Sequence, residues 1–471
     1  DGLSHLTWQT AIEAGGKRNS RKFARALDKI GGTLDADVGA RNTIVHGRVP
    51  TRHIGKFMAL LANAILRPRL DRADFKRQRR IAIADAVSVR DDDEELADDA
   101  ARRYLHRGQP AGRAYEGSVA SLRKLKRKHA RKLHAGVVRS GMHFGFAGNL
   151  RRQQALELVR DHFGDIEPRR KALVNRRSKA PKLAGRRLLL LNRQGRSQAQ
   201  VVVMVPTIGA ASPAMPALLV AATALGGTFT SRLVRQVREL RGWSYSIEAG
   251  LLVGYKSGVL AIRWAPDNRV VGASIDLVMG QLELLKASGL TKQEVGFVHD
   301  HLKGAHRLAI ETAAGELAER MRALALGLPV DYPQRLSAMI KRVDKKYLGK
   351  ALNKHFDPSR AIAVVVGDGT VLSTSLARLM SGFAVESIPY TGAPEETKIP
   401  GNPVQKTLLA KPPPPPDPNA APDPNAIVEH GPIFDESGNP IDEASLPTGD
   451  TETDAIDDDD EPDGEPPPTS S

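Results

Sequence analysis

The chain has no cysteine in 471 residues, which excludes thiol nucleophiles, thiolate metal sites and disulfides at once. It has no unbroken apolar run of about 18 residues, the length a membrane-crossing helix needs, so no segment of it spans a bilayer as a helix. Nucleotide and serine-hydrolase signatures are also missing: there is no G-x-S-x-G, no P-loop and no dinucleotide fingerprint. The glycine turns in VVVGDGTVL and LGGTF sit at strand or helix ends, and an isolated glycine turn is weak support for phosphate binding.

What is present is charge, unevenly divided. Residues 391–471 hold three lysines against nineteen acidic side chains, a net −16, which leaves +31 on residues 1–390 of a chain whose total is +15. That last stretch, with KPPPPPDPNAAPDPNA and IDDDDEPDGEPPPTSS, lacks apolar periodicity and is expected to be a disordered acidic, Pro-rich tail. The densest basic segment is SLRKLKRKHARKLHAG, residues 121–136, where Leu122, Leu125 and Leu133 can face inward while seven lysines and arginines project outward. No aromatic side chain interleaves these charges, so nucleic acid is not the expected partner, and a solvated face partly neutralised by the acidic tail is. His299, His301 and His306 lie close together in VHDHLKGAH, but none of their spacings is the i,i+4 that brings two imidazoles onto one metal, so a solvated helix face is expected there too.

The body repeats one plan. TLDADVGARNTIVHGRVP reads as a strand pair, RHIGKFMALLANAIL as a helix, and after RPRLDRADF comes a second, charged helix that starts near Asp71 and Asp74. SYSIEAGLLVGYKSGVLAIRWAP, VVGASIDLVMGQLELLKASG and LTKQEVGFVHDHLKGA repeat the order, with Thr291 and Glu294 at capping-box spacing. Each half is expected to close with a strand near a glycine turn, HFGFAGNL at 143–150 and AIAVVVGDGTVL at 361–372. The fold class predicted is α+β: two homologous domains, each a mainly antiparallel sheet covered on one face by helices. The domains run 1–167 and 188–390, joined by a basic linker at 168–187 and followed by the tail at 391–471.

The segment SRLVRQVRELRGWSYSI, residues 231–247, sets Arg238 seven residues before Tyr245. An amphipathic helix with Leu233, Val237 and Leu240 inward is expected to stop at Gly242, with residues 243–247 entering a strand, so that a guanidinium and a phenol converge on one cleft. The longer segment LGGTFTSRLVRQVRELRGWSYSI, residues 225–247, resembles the insulinase/pitrilysin/mitochondrial-processing-peptidase family, in its two-domain short-subunit branch. The resemblance spans residues 2–385 and implies two homologous α+β domains enclosing a chamber. It also implies that Arg238 and Tyr245 bind the substrate backbone beside a zinc ion.

The family's zinc motif is H-x-x-E-H, and GLSHLTWQTAIEAGGKRNS, residues 2–20, occupies its place. His5 matches the first histidine, Trp8 replaces the glutamate and Gln9 replaces the second histidine; Asp85, in DFKRQRRIAIADAV, falls where the third ligand belongs. Zinc takes about three His, Cys or carboxylate ligands beside an open water position. Trp8 cannot accept a proton from that water and Gln9 is a weak neutral ligand, so the metal set is degenerate and no metal is expected in this chain. The chain opens directly on this motif, where family members have already traversed several strands, and a processed form or partial reading frame is expected.

The resemblance therefore implies a non-zinc subunit of an insulinase-like peptidase. Such a subunit supplies the Arg/Tyr pair to a zinc-bearing partner in a heterodimer acting on peptides, and zinc is expected in that partner. A catalytically inactive scaffold or core subunit of a larger assembly is the alternative. A third reading is an active metalloprotease using His5, Asp85 and one further, unassigned ligand. The compartment expected is the bacterial periplasm or cell envelope, with which the absence of cysteine is compatible.

Overall fold

A computed structural model describes residues 1–39, 42–89, 91–166 and 183–389. The expected tail, and most of the expected linker, lie outside these residues.

The first half runs α1 (Leu3–Ala11), α2 (Ser20–Asp28), β1 (Thr33–Val38), β2 (Thr43–Arg48), α3 (Ile54–Leu66), α4 (Arg72–Ser88), α5 (Asp93–Leu105), α6 (Val119–Lys124), α7 (Arg127–Val137) and α8 (Arg152–Phe163). β1 and β2 pair antiparallel from Thr33 opposite Arg48 to Val38 opposite Thr43, the strand pair that the alternation predicts. The closing strand expected at 143–150 does not form a ladder. Met142, Phe144 and Phe146 alternate toward the core, and Phe144 meets Phe163 at 4.8 Å between ring centroids. Among the described residues this segment is paired into neither sheet. Alternation therefore seats its side chains without making it a strand.

The second half runs β3 (Arg187–Asn192), β4 (Gln200–Ile208), α9 (Met215–Gly226), β5 (Ile247–Val253), β6 (Ser257–Trp264), α10 (Val271–Ser288), α11 (Lys292–Ala309), α12 (Ala313–Leu326), α13 (Tyr332–Ile340), α14 (Lys345–His355), β7 (Ile362–Gly367), α15 (Gly369–Ala377) and β8 (Ala384–Pro389). Its strands form one six-stranded sheet in the order β5, β6, β4, β7, β3, β8. Three pairings are antiparallel, and the two that involve β3 are parallel.

This sheet is covered on both faces, where cover on one face is expected from the sequence. Leu188, Leu190, Val201, Val203, Ile262 and Val365 belong to the core beneath α9 and α10. Their neighbours Leu189, Leu191, Val202, Met204, Ala261 and Val364 form a second core with Ala97, Ala101 and Leu105 of α5, a helix from the first half. Those three residues recur every four positions and make one helix face, and the two alanines leave room for close approach to the strands. Polar contacts add to the docking: Arg263 on β6 donates to Asp98 at 2.8 to 3.1 Å, and Arg196 Nε lies 2.9 Å from Asp93. The signal was present in the unbroken apolar runs at 188–191, 201–205 and 362–366, since strands buried on both faces lose their alternation.

Candidate functional site

The segment carrying Arg238 and Tyr245 is anchored at both ends. Upstream, α9 is buried along almost its whole length and ends at Gly226, where an added Cβ would stand 2.7 Å from both the Cβ and the amide nitrogen of Ala249 on β5. Only glycine allows helix and strand to approach this closely. Arg232 then fastens the start of the segment: its Nε and Nη2 donate to Glu294 at 2.6 and 2.8 Å, and Nη2 also donates to the Gly289 carbonyl at 3.0 Å. Glu294 closes the expected capping box with Thr291. Burial pushes the Glu294 carboxyl up, but Arg232 and Thr291 outweigh it and hold the group below the ordinary carboxylate range.

Residues Val234–Glu239 form a π-helix. Leu233 and Val237 are buried as predicted, whereas Leu240 is 59% exposed, against the expectation that it faces inward. The wider turn, with i to i+5 bonding, rotates each later residue relative to an α-helix and carries Leu240 off the buried stripe. Gly242 ends the helix at φ 59°, its amide donating to the Arg238 carbonyl at 3.1 Å while the Trp243 amide donates to Val237 at 2.9 Å. Residues 243–246 are not yet strand; the ladder begins at Ile247. Instead, Ser244 is buried and pins the turn, its hydroxyl donating to the Ser246 carbonyl at 2.6 Å and accepting from the Ala265 amide at 3.1 Å.

With Ser244 turned in, Tyr245 turns out and is 86% exposed. Arg238 Cζ lies 5.1 Å from its ring centroid, a cation–π contact. Among the described residues neither the Arg238 guanidinium nor the Tyr245 hydroxyl has a hydrogen-bond partner, so both polar tips are available to a ligand. A second pair lies beside the first, with Arg241 Cζ 5.3 Å from the Trp243 ring centroid.

The positions matched to the zinc motif gather in the first half, and their surroundings do not fit a catalytic zinc. His5 is half-buried on α1. Burial holds its imidazole below the ordinary histidine pKa, while the carboxylates of Glu116 and Asp85 pull the other way. Glu116 is the neighbour that the sequence did not indicate, because only the packing of α1 brings residues 5 and 116 together. Asp85 is exposed on α4. Trp8 is 6% exposed and points into the core, meeting His134 edge to face at 5.9 Å. His134 in turn bonds the Ile65 carbonyl through Nε2 at 2.7 Å. The Gln9 amide donates to the Ala36 carbonyl of β1 at 3.0 Å and so serves the backbone. No group of three His, Cys, Asp or Glu side chains among the described residues is arranged to hold a metal ion.

The other candidates separate. In the basic segment Leu122 is buried and Leu125 and Leu133 are half-buried, but the helix breaks at residues 125–126 into α6 and α7. Six of its seven cations are exposed and Arg127 is half-buried. Of the three histidines on α11 only His301 is exposed; His299 and His306 fall on the stripe that carries Val295, Val298 and Leu302, and His299 Nε2 is enclosed without a partner.

Residues 1–118 match the family described as insulinase (peptidase family M16), and residues 137–298 match the peptidase M16 inactive domain. The chain belongs to the insulinase (M16) peptidase family. An uncharacterized zinc protease of Mycobacterium leprae is 26% identical over 312 residues, 66% of this chain and 70% of the relative. One from Bacillus subtilis is 20% identical over 319 residues, 68% of this chain and 76% of the relative. Among solved structures, a peptidase M16 inactive domain from Pseudomonas fluorescens superposes with a TM-score of 0.70 at 18% identity, covering 78% of this chain and 88% of that one. A protease from Helicobacter pylori gives 0.68 at 15% identity, covering 78% and 89%. The M16 chain described here thus shares the fold of both. Within that fold its inactive-domain match holds Arg238 and Tyr245, and its insulinase match holds His5, Trp8, Gln9 and Asp85.

Proposed function

We propose that this M16 chain is the non-zinc subunit of a two-subunit peptidase, giving Arg238 and Tyr245 to a zinc-bearing partner that hydrolyses peptides. One contrast carries the reading: the Arg/Tyr pair is assembled with Tyr245 exposed, Arg238 half-buried and both polar tips unspent, while Trp8 is committed to the core and Gln9 to a backbone carbonyl. The names of the relatives, zinc proteases, support a peptidase context for the pair. The partner's metal would activate water. This chain's residues bind and orient: the guanidinium and phenol hydroxyl donate to a carbonyl of an extended peptide, and their donors favour charge that develops on its oxygen. Because Arg232, Gly242 and Ser244 fix the backbone on either side, the donors are preorganised.

The test is reconstitution with a complete H-x-x-E-H chain from the same organism, followed by assay of peptide hydrolysis. Hydrolysis by the pair, absent from this chain alone and abolished by chelation, is the expected result. Association without hydrolysis would favour the scaffold reading instead.

A further inference from the structure

We propose that Arg241, stacked on Trp243, forms a subsite for an acidic side chain of the bound peptide, making acidic extended peptides the preferred ligands. This rests on the function proposed above and adds a substrate class to it.

Arginine recurs at every third position of the segment, at 232, 235, 238 and 241. Only Arg232 is neutralised, by Glu294. Among the described residues Arg235, Arg238 and Arg241 have no carboxylate within ion-pair distance, and Glu239, the one acidic residue in 230–247, is exposed and pairs with none of them. Three unneutralised cations within seven residues attract an anionic ligand.

Arg241 is held in place. Its Nη1 donates to the Gln236 carbonyl at 2.9 Å and to Gln236 Oε1 at 2.7 Å, its Cζ lies over Trp243, and Trp243 packs against the core of the sheet. The Nε and Nη2 donors remain unspent among the described residues. A guanidinium fixed by stacking and presenting free N–H groups suits a carboxylate, which accepts two parallel hydrogen bonds, better than a neutral amide. Trp243 stands two residues before Tyr245, at most about 7 Å between their Cα atoms, so the acidic side chain would belong to a residue near the peptide bond that Arg238 and Tyr245 hold. The exposed side chains of Phe229 and Leu240 on the same segment offer apolar contact to the residues beside it.

The experiment uses the full chain and two labelled extended peptides of equal length that differ by Glu or Gln at one position, with that position scanned. Binding is read by anisotropy and by tryptophan emission. Of the three tryptophans, Trp8 and Trp264 are buried and Trp243 is half-buried, so emission changes report on the subsite. At one position the Glu peptide is expected to bind on the order of tenfold more tightly at low salt. Arg241→Gln should remove that difference and Arg241→Lys should keep part of it, with circular dichroism unchanged in both. The double variant Lys128→Gln/Lys132→Gln, on the basic α7, should leave the difference intact. A Glu preference that survives Arg241→Gln, or that vanishes with the α7 variant, overturns the proposal. So does equal binding of both peptides at every position. If neither peptide binds the single chain, the ratio of kcat/KM for the two peptides is read on the reconstituted pair, where no ratio above unity overturns this inference alone. A pair that hydrolyses neither peptide overturns the proposed function with it.

Discussion

Trp8 and His134 meet edge to face at 5.9 Å in the core of the first half, at the motif position where a metallopeptidase of this family carries its general base. An indole in this setting is a packing residue. The isolated chain is therefore expected to bind no stoichiometric zinc at neutral pH, measured by metal analysis after exhaustive dialysis. One equivalent of zinc, lost in His5→Ala, would defeat the reading. Restoring the motif with Trp8→Glu and Gln9→His should not rescue the site. It would remove a buried aromatic, a change of the class that costs about 3–5 kcal/mol, and leave a carboxylate in its cavity. A lowered urea midpoint is the measurement.

For the Arg/Tyr pair, Arg238→Ala and Tyr245→Phe should leave folding and partner association unchanged, because Tyr245→Phe removes only a hydroxyl and Arg238→Ala gives up only the contact with the exposed Tyr245 ring. Hydrolysis by the reconstituted pair should fall by about 10²–10³-fold, the scale of one lost oxyanion donor. The loss should appear mainly in kcat, since the interaction strengthens as charge develops. Full activity in both variants, with the heterodimer verified by sizing, would reduce the chain to a scaffold.

Acid should destabilise the first half. Burial holds the His5, His106 and His134 imidazoles below the ordinary histidine pKa; the Ile65 carbonyl opposes this at His134, and Arg102 adds to it at His106. A base whose folded pKa lies below its unfolded value of about 6.5 binds fewer protons when folded. Its contribution to stability is thus complete above that value and is lost as pH falls through the depressed pKa. Urea midpoints should drop from pH 7.5 to pH 5, and His134→Gln, which keeps a donor for the Ile65 carbonyl, should reduce the drop. A midpoint independent of pH would contradict the assignment.

Docking of α5 onto the sheet tolerates little extra volume. Ala101 is fully buried against β4 and β7, so Ala101→Leu should overpack this contact and cost about 1–3 kcal/mol. The variant leaves residues 225–247 untouched. Chemical denaturation should show the loss, and an unchanged midpoint would mean that α5 is not firmly seated.

Much of this was legible because the deciding forces are local. The strand pairs at 33–48 and 247–264 follow from alternation, the start of α11 from the spacing of Thr291 and Glu294, and the helix stop at residue 242 from a backbone conformation that glycine adopts cheaply. The exposure of Leu240 was not legible, because one extra residue in a helical turn changes which face is buried without altering any residue type. The same holds for residues 143–150, whose pattern is that of a strand but which pair into neither sheet among the described residues.

The amino-acid sequence by itself determined the family, the duplicated plan, the substitution of Trp8 and Gln9 at the metal positions and the spacing of Arg238 and Tyr245. Those are properties of residue types and intervals along one chain. Tertiary structure alone decided that α5 crosses to cover the sheet of the other half, that Glu116 joins Asp85 in acting on His5, that Trp8 turns into the core, and that Arg238 stacks on Tyr245 with its donors unspent. Each of these depends on a distance between residues remote in sequence or on the direction of a side chain. Packing sets both, by burying apolar area on two sheet faces at once.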